Sequence, residues 1–284
     1  MRLLRPESVE AAVGSLGEGA RPLAGGTELV PLVRERLVAA DTLVQVEGLV
    51  PRGVSGRGSE PPRLAIGAGT TLAELEVDPQ VPTALREACR LAASPQLRNM
   101  GTIGGNLLQA TRCWYWRLAY PCRLHGGELC HAREGRHREH AIFANGFCAS
   151  AHPSDPAAAL LALDATVRTD RRALPLDELY RLPDQDDRDI VTLARDELVL
   201  ELEVPQPEAS VYLKAMDRKR WAFALVGVAA VRAGGEDRIG LAGVAPIPWL
   251  LDGEAGLEAA TPLPETAYKV ELAGALVRRA LAML

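Results

Sequence analysis

Residues 98–155 read RNMGTIGGNLLQATRCWYWRLAYPCRLHGGELCHAREGRHREHAIFANGFCASAHPSD, and the rest of the chain is organised around them. Four of the five cysteines lie in this stretch, and so do all five histidines. A glycine-rich turn, TIGGN at residues 102–106, stands just ahead of the first of these cysteines. Soft metal ligands beside a turn that exposes its backbone predict a redox protein that holds two different cofactors side by side.

The composition indicates a globular protein with room for two domains. The chain has 284 residues, of which 48% are hydrophobic and 24% are charged, and its net charge is −5. This charge argues against a nucleic-acid surface, and no apolar run predicts a signal peptide or a membrane span. We therefore expect a soluble cytoplasmic protein, with export on a partner's signal left open. In the cytoplasm, clustered cysteines bind metal more often than they form disulfides.

Two strand–turn–helix units precede the cysteine-rich stretch. In the first, a short apolar segment runs into AGGTEL at residues 24–29, and a helix is predicted over residues 28–39. In the second, a strand leads into GAGTT at residues 67–71 and then into a helix. Free backbone N–H groups at such turns can bind an anion. Between the two units, residues 51–62 are rich in Gly, Pro and Ser and predict a loop or a subdomain boundary.

The C-terminal part of the chain has a different pattern. Residues 197–204 alternate as a half-buried strand does, and residues 225–232 and 239–244 flank a hairpin turn. Residues 265–284 carry apolar side chains at helical spacing. Together these segments predict an α+β domain with one antiparallel sheet packed under helices.

The spacing of the cysteines leaves the identity of the metal open. The successive gaps are 9, 8 and 18 residues between Cys113, Cys122, Cys130 and Cys148. No pair therefore has the C-x₂-C spacing of zinc fingers or small ferredoxins. A mixed zinc site could be completed by His131, His137 or His140, whereas four widely spaced thiolates also suit a [4Fe-4S] cluster. The fifth cysteine, Cys89, lies on the apolar side of a predicted helix and is interpreted as a small buried hydrophobic residue.

Five motifs, taken in order, resemble those of a known family. They are AGGTEL (24–29), GAGTT (67–71), RNMGTIGGNL (98–107), HPSD (152–155) and YLKAMDR (212–218). The chain resembles the FAD-binding medium subunit of the xanthine oxidase family of molybdenum hydroxylases. Its cysteine-rich insertion, at residues 110–150, resembles the subset whose medium subunit carries an extra [4Fe-4S] cluster. That subset includes aldehyde oxidoreductases and 4-hydroxybenzoyl-CoA reductases.

The resemblance implies a fold, a function and partners. The fold would be α+β, with a two-lobed α/β FAD-binding domain at residues 1–172 (lobes 1–55 and 56–172) and an α+β domain at residues 175–284. The protein would be an oxidoreductase subunit in a heterotrimer with a large molybdenum-cofactor subunit and a small subunit that carries two [2Fe-2S] clusters. It would pass electrons from those clusters through FAD to an unknown external acceptor while the complex oxidises an aldehyde or an aromatic or N-heterocyclic compound. No catalytic residue is expected in this chain itself.

The resemblance also implies which residues hold the cofactors. FAD would lie against the glycine turns, which supply Ala24, Gly25, Gly26, Thr27, Glu28, Leu29, Thr70, Thr102, Ile103, Gly104, Gly105 and Asn106. Asp155 would hydrogen-bond the cofactor, and Lys214 would reach the flavin ring. The [4Fe-4S] cluster would be held by Cys113, Cys122, Cys130 and Cys148. Glu28 stands where Asp or Asn is more usual, so the role of its side chain is left open.

Two other functions fit the sequence. One is a stand-alone FAD-dependent oxidoreductase, which the cysteine-rich loop and the lack of a dedicated substrate domain disfavour. The other is a non-enzymatic structural zinc protein, in which the glycine turns are only turns.

Overall fold

The computed structural model describes residues 1–58, 62–218 and 222–284. The strands in these segments are β1 (Arg2–Leu4), β2 (Ala20–Leu23), β3 (Thr42–Gln45), β4 (Val54–Arg57), β5 (Arg63–Gly67), β6 (Thr166–Thr169), β7 (Ala173–Pro175), β8 (Val199–Pro205), β9 (Ala209–Ala215), β10 (Val226–Ala233), β11 (Glu236–Ala242) and β12 (Trp249–Leu251). The α-helices are α1 (Val9–Val13), α2 (Leu29–Arg34), α3 (Leu72–Leu75), α4 (Thr83–Leu91), α5 (Pro95–Arg98), α6 (Ile103–Leu107), α7 (Trp114–Arg117), α8 (His131–Glu134), α9 (Asp155–Ala162) and α10 (Tyr268–Leu281). Short 3₁₀ helices occupy Arg123–His125, Leu176–Leu179, Glu254–Ala259 and Pro264–Thr266.

The first sheet is small and parallel. Its strand order is β1-β3-β2, and both strand pairs are parallel. Helix α2 follows β2 directly after the AGGTEL turn, so the first strand–turn–helix unit forms as expected. The helix is shorter than the predicted 28–39, because it ends at Arg34 and Arg36 then takes a left-handed backbone with φ of 58°. No glycine marks this turn in the sequence.

The second sheet has five antiparallel strands in the order β4-β5-β8-β6-β7. Strand β8 lies at its centre, where Leu202 pairs with Ile66 on one side and with Val167 on the other. The division into domains at residues 172–175 stays a prediction, although this sheet contains strands from both sides of it. The segment 51–62 is more than the predicted loop, because β4 lies within it; residues 59–61 are outside the described residues.

The third sheet is antiparallel, in the order β12-β11-β10-β9. Helices α4 and α9 belong to one hydrophobic core with residues of the second and third sheets, and α10 packs on the third sheet in a separate core. Helix α9 approaches β11 closely, because a Cβ on Gly240 would lie 2.1 Å from the carbonyl oxygen of Ala158. The expected α+β class with an antiparallel C-terminal sheet is confirmed. No helix of the described residues is long and apolar enough to cross a membrane.

Candidate cofactor sites

The three glycine turns, which are far apart in the sequence, meet in space. Residues 24–27 lie against the residues just before TIGGN, since a Cβ on Gly25 would be only 1.7 Å from the carbonyl oxygen of Met100. The second and third turns are joined through their backbones: Ile103 N donates to Thr70 O at 2.8 Å, and Gly104 N donates to Ala68 O at 3.0 Å. The three turns, which the resemblance places around one FAD, therefore lie side by side.

The first turn offers backbone N–H groups that are free to bind a ligand. Within the described part of the chain, no N–H group of residues 24–29 donates a hydrogen bond to another residue. Gly26 has φ of 70°, a conformation that favours glycine, and the segment is half-buried. Free N–H groups in a turn that opens a helix are a common way to bind phosphate, because they carry partial positive charge without a competing acceptor.

Two threonines of this site hold the turns in shape. The Thr70 hydroxyl donates to Gly67 O at 2.6 Å and accepts from Gly53 N at 2.9 Å, and its side chain is fully buried. Thr102 caps the start of helix α6, where its hydroxyl accepts from Gly105 N at 3.2 Å. Both hydroxyl groups therefore bond to the protein's own backbone, so their side chains position the turns.

The TIGGN turn has one buried and one exposed glycine. Gly104 packs on the backbone of the second turn, because a Cβ there would lie 3.0 Å from the Cβ of Ala68. Gly105 is exposed, and Asn106 after it uses Oδ1 to accept a hydrogen bond from Ser154 Oγ at 2.5 Å. This last bond joins the turn to the HPSD motif.

Asp155 and Lys214 also meet, but they bind each other. Lys214 Nζ lies 2.8 Å from Asp155 Oδ2 and donates a second hydrogen bond to Leu91 O at 2.9 Å. Tyr212, which sequence reasoning did not select, donates its hydroxyl hydrogen to Asp155 Oδ1 at 2.5 Å. Burial, together with the adjacent Asp155 carboxylate, raises the pKa of Tyr212. A direct contact of Asp155 or Lys214 with the cofactor stays a prediction.

Glu28 directs its carboxylate toward the cysteine-rich insertion. Its Oε2 atom lies 2.6 Å from Arg112 Nη2, and its Oε1 atom lies 2.6 Å from Arg117 Nη2. Oε1 also accepts a hydrogen bond from Ala110 N at 3.2 Å. The side chain whose role the sequence left open is therefore an ionic link between the first turn and the insertion.

The four cysteines of the insertion line one cavity. Cys113, Cys122, Cys130 and Cys148 share this cavity with aromatic side chains that include Tyr115, Trp116 and Phe147. None of the cysteines forms a disulfide. The long loop therefore brings together sulfurs that are up to 35 positions apart in the sequence. Cys89 is fully buried in the core elsewhere, as expected for a hydrophobic residue.

Two of these thiols have donors directed at their sulfur atoms. The N–H groups of Tyr115 and Trp116 point at Cys113, and the N–H group of Ser150 points at Cys148, whose thiol donates to Ser150 Oγ at 3.2 Å. Burial raises the pKa of the Cys113 thiol to about 11 and that of the Cys148 thiol to about 12. A bound metal would supply the positive charge that a buried thiolate otherwise lacks.

Of the three histidines that could complete a zinc site, His131 lines the cysteine cavity and His140 lies beside Cys113. His140 Nε2 lies 3.2 Å from Cys113 Sγ, but His137 is bonded to the carbonyl oxygens of Ala132 and Gly135. Burial lowers the pKa of His140 to about 4, which keeps its ring neutral. Among residues 1–58, 62–218 and 222–284, no three His, Cys, Asp or Glu side chains converge closely enough to hold a single metal ion.

The comparisons with known proteins agree with one another. Residues 1–207 match the family model described as "FAD binding domain in molybdopterin dehydrogenase". The chain is 35% identical over 246 residues to the aldehyde oxidoreductase FAD-binding subunit PaoB of Escherichia coli (strain K12), which covers 82% of this chain and 77% of that protein. It is also 41% identical over 109 residues to the carbon monoxide dehydrogenase medium chain of Afipia carboxidovorans. That alignment covers 36% of this chain and 37% of the other.

A solved structure extends this similarity over the full chain. The crystal structure of a Cu,Mo-CO dehydrogenase in its cyanide-inactivated form has a chain that superposes with a TM-score of 0.72 at 25% identity. The superposition covers 99% of this chain and 96% of the other. The family match, at residues 1–207, contains the three glycine turns and the four cysteines of the insertion.

Proposed function

Because the chain belongs to the family of FAD-binding domains of molybdopterin dehydrogenases, we propose that it is the flavin subunit of a heteromeric molybdenum hydroxylase. Family membership confirms the resemblance that the five motifs suggested. In this role the chain receives electrons from two [2Fe-2S] clusters of a small partner subunit and releases them to an external acceptor. The oxidation itself takes place at the molybdenum cofactor of a large partner subunit.

The observation that carries this proposal is the free N–H groups of residues 24–29. A dinucleotide cofactor has a pyrophosphate with two negative charges, and unpaired N–H groups at the start of a helix match such an anion. In this proposal Gly25 and Gly26 supply backbone N–H groups of the turn, and the side chains of Thr27 and Leu29 lie next to them. Glu28 keeps its carboxylate on the two arginines, so its negative charge is neutralised where the anion binds.

The TIGGN segment would bind the flavin and its ribityl-phosphate arm. When bound, FAD supplies a carrier that takes up and gives off one or two electrons. The chain's own residues bind and orient it: Gly105 is exposed and has no side chain, so a planar ring can come close to the backbone. The buried pair of Asp155 and Lys214 fixes the HPSD segment relative to β9, and through Ser154 it fixes Asn106.

We further propose an aldehyde as the substrate class of the complex. The support is the relative PaoB, which aligns over most of both chains and whose name describes an aldehyde oxidoreductase. The carbon monoxide dehydrogenase medium chain matches over only 36% of this chain.

The insertion, in our proposal, holds a [4Fe-4S] cluster through Cys113, Cys122, Cys130 and Cys148. The donor set fits, because four free thiols line one cavity and two of them have backbone N–H groups directed at sulfur. A cluster binds its thiolates at different iron atoms, whereas a zinc ion needs all four ligands within about 2.3 Å of one point. Four thiols that line one cavity, together with the resemblance of the insertion to the subset with an extra [4Fe-4S] cluster, favour the cluster over the zinc alternative.

The experiment that tests the function uses the chain co-expressed with its two partner subunits. We expect a co-purifying heterotrimer whose flavin absorbance is lost on anaerobic addition of an aldehyde and returns with an electron acceptor. A chain that purifies alone and oxidises an aldehyde unaided would support the stand-alone oxidoreductase instead. A cytoplasmic location, or export within the complex, stays a prediction that fractionation of cells would test.

A further inference from the structure

Among the described residues, Glu28 is the one side chain of the first glycine turn that forms ion pairs with the cysteine-rich insertion. It occupies the position before helix α2, yet its carboxylate makes no capping bond to that helix. Both of its oxygens are instead directed at guanidinium groups that lie more than 80 positions further along the chain. The side chain therefore connects the turn that binds the pyrophosphate with the loop that carries the cysteines.

The two arginines flank the first cysteine. Arg112 immediately precedes Cys113, and Arg117 ends helix α7, which starts directly after Cys113. Arg117 also donates through Nε to Thr111 O at 2.9 Å, and the Thr111 hydroxyl accepts from Cys113 N at 3.1 Å. The position of Glu28 is thus fixed by the same few residues that fix the Cys113 sulfur.

Helix α7 cannot hold these arginines in place without help. It has four residues, and the N–H groups of Tyr115 and Trp116 in its first turn point at the Cys113 sulfur. A helix this short is not stable alone, because the cost of its first turn is not recovered by later hydrogen bonds. Iron bound at Cys113 would anchor the start of α7, whereas without iron both arginines would gain freedom.

The charges of Glu28 and the two arginines make the first turn and the insertion depend on each other. The side chains of Arg112, Arg117 and Glu28 are 32%, 20% and 18% exposed, so each charge is partly removed from water. The two guanidinium groups repel each other, because each lies 2.6 Å from an oxygen of the same carboxylate. If Glu28 moves, two cations are left together; if the arginines move, a carboxylate is left beside the free N–H groups where an anion should bind.

We infer that Glu28 is a positioning residue that couples the two cofactor sites, so that a bound iron–sulfur cluster strengthens the binding of FAD and bound FAD strengthens retention of the cluster. This inference rests on the proposed function, since it requires both cofactors. The coupling must be equal in both directions, because it is a free energy shared by two binding equilibria. It also gives the insertion a role in flavin binding that does not depend on whether electrons pass through it.

The test measures FAD binding by the full chain, freed of flavin, with and without its iron. Flavin fluorescence gives the Kd for FAD of the iron-loaded protein and of protein stripped by a chelator. For the wild-type chain we expect the stripped form to bind FAD roughly 5- to 150-fold more weakly. Glu28→Gln should bring this ratio close to one, and Glu28→Asp, which keeps the charge on a shorter arm, should give an intermediate ratio.

The matched control is Glu35→Gln, which removes a carboxylate paired with Arg34 at the exposed end of the same helix. It should keep the wild-type ratio. A merely structural role for Glu28 would weaken FAD binding equally with and without iron, and that result would overturn the inference. So would a wild-type ratio near one in a chain that binds both cofactors, which leaves the proposed function intact. A chain that binds neither FAD nor iron would instead overturn the proposed function.

Discussion

Asp155 and Lys214 form an ion pair of 2.8 Å in which only 3% and 1% of the two side chains are exposed. The pair joins the start of helix α9 to strand β9. It therefore connects the HPSD motif with the third sheet. Two charges withdrawn from water to this degree stabilise a fold only while both are present.

We therefore expect Lys214→Met to lower the free energy of unfolding by about 3–5 kcal/mol, because Asp155 would be left as an uncompensated buried charge. Urea unfolding followed by circular dichroism measures this. Asp237→Asn is the control, since it breaks an exposed pair with Arg232 and should cost at most about 1 kcal/mol. Equal costs for the two variants would show that the buried pair does not have this role.

Gly25→Ala should weaken FAD binding by at least about tenfold, or about 1.4 kcal/mol. The added Cβ would lie 1.7 Å from Met100 O, so the first turn must move away from TIGGN. Titration with FAD measures the loss. Gly56→Ala, where a Cβ meets nothing within 4 Å, should bind FAD as the wild type does. An unchanged Kd for Gly25→Ala would show that FAD binding does not depend on the close contact between Gly25 and Met100.

Cys130→Ala should abolish the iron content of the purified chain, since it removes one of the four proposed ligands. Cys89→Ala is a matched control, because Cys89 is the only cysteine outside the cavity and is buried in the core. Iron analysis together with the visible spectrum distinguishes the two variants. The cluster proposal would not survive if Cys130→Ala kept its full iron, or if Cys89→Ala lost as much.

Lys269 should make the stability of the protein depend on pH. It is fully buried in α10, where Nζ donates to Glu139 O at 2.8 Å and to Gly243 O at 2.9 Å. Burial lowers the pKa of Lys269 from 10.5 to about 7. Between these two pH values the unfolded chain binds more protons at this residue than the folded chain does, so stability should rise with pH in that window.

Lys269→Met should remove this rise. The free energy of unfolding of wild type and variant, measured at several pH values between 7 and 10, gives a difference in which other titrating groups cancel. We expect the wild type to gain stability relative to the variant as the pH increases. Parallel curves would mean that Lys269 stays charged in the folded protein throughout this range.

Local patterns in the sequence predicted which segments form strands and helices better than they predicted which strands pair with each other. The alternation at residues 197–204 predicts a strand, and β8 forms there. That Leu202 lies between Ile66 and Val167 could not be predicted, because alternation reports which face is buried and not which strand is the neighbour. Strand β4 was missed because VSGR is exposed and contains glycine, so its pairing with β5 alone defines it.

In the candidate site, too, individual motifs could be predicted from the sequence, whereas contacts between distant residues could not. Glycine turns and cysteines are visible in the sequence because their chemistry is unusual, and the structure brings each group together. The link from Glu28 to Arg112 and Arg117 was not predicted, since ordinary surface charge explains any one of these residues equally well. Tyr212 was missed for a similar reason, because a tyrosine in a strand signals packing before it signals a hydrogen bond to Asp155.

The cofactor content of the purified full chain, prepared without oxygen, shows whether one chain holds both FAD and an iron–sulfur cluster. Flavin released by denaturation is quantified against protein, and iron is measured on the same sample. We predict one FAD and about four irons per chain, in keeping with one [4Fe-4S] cluster held by four cysteines. A colourless chain that contains zinc and no flavin would contradict the account.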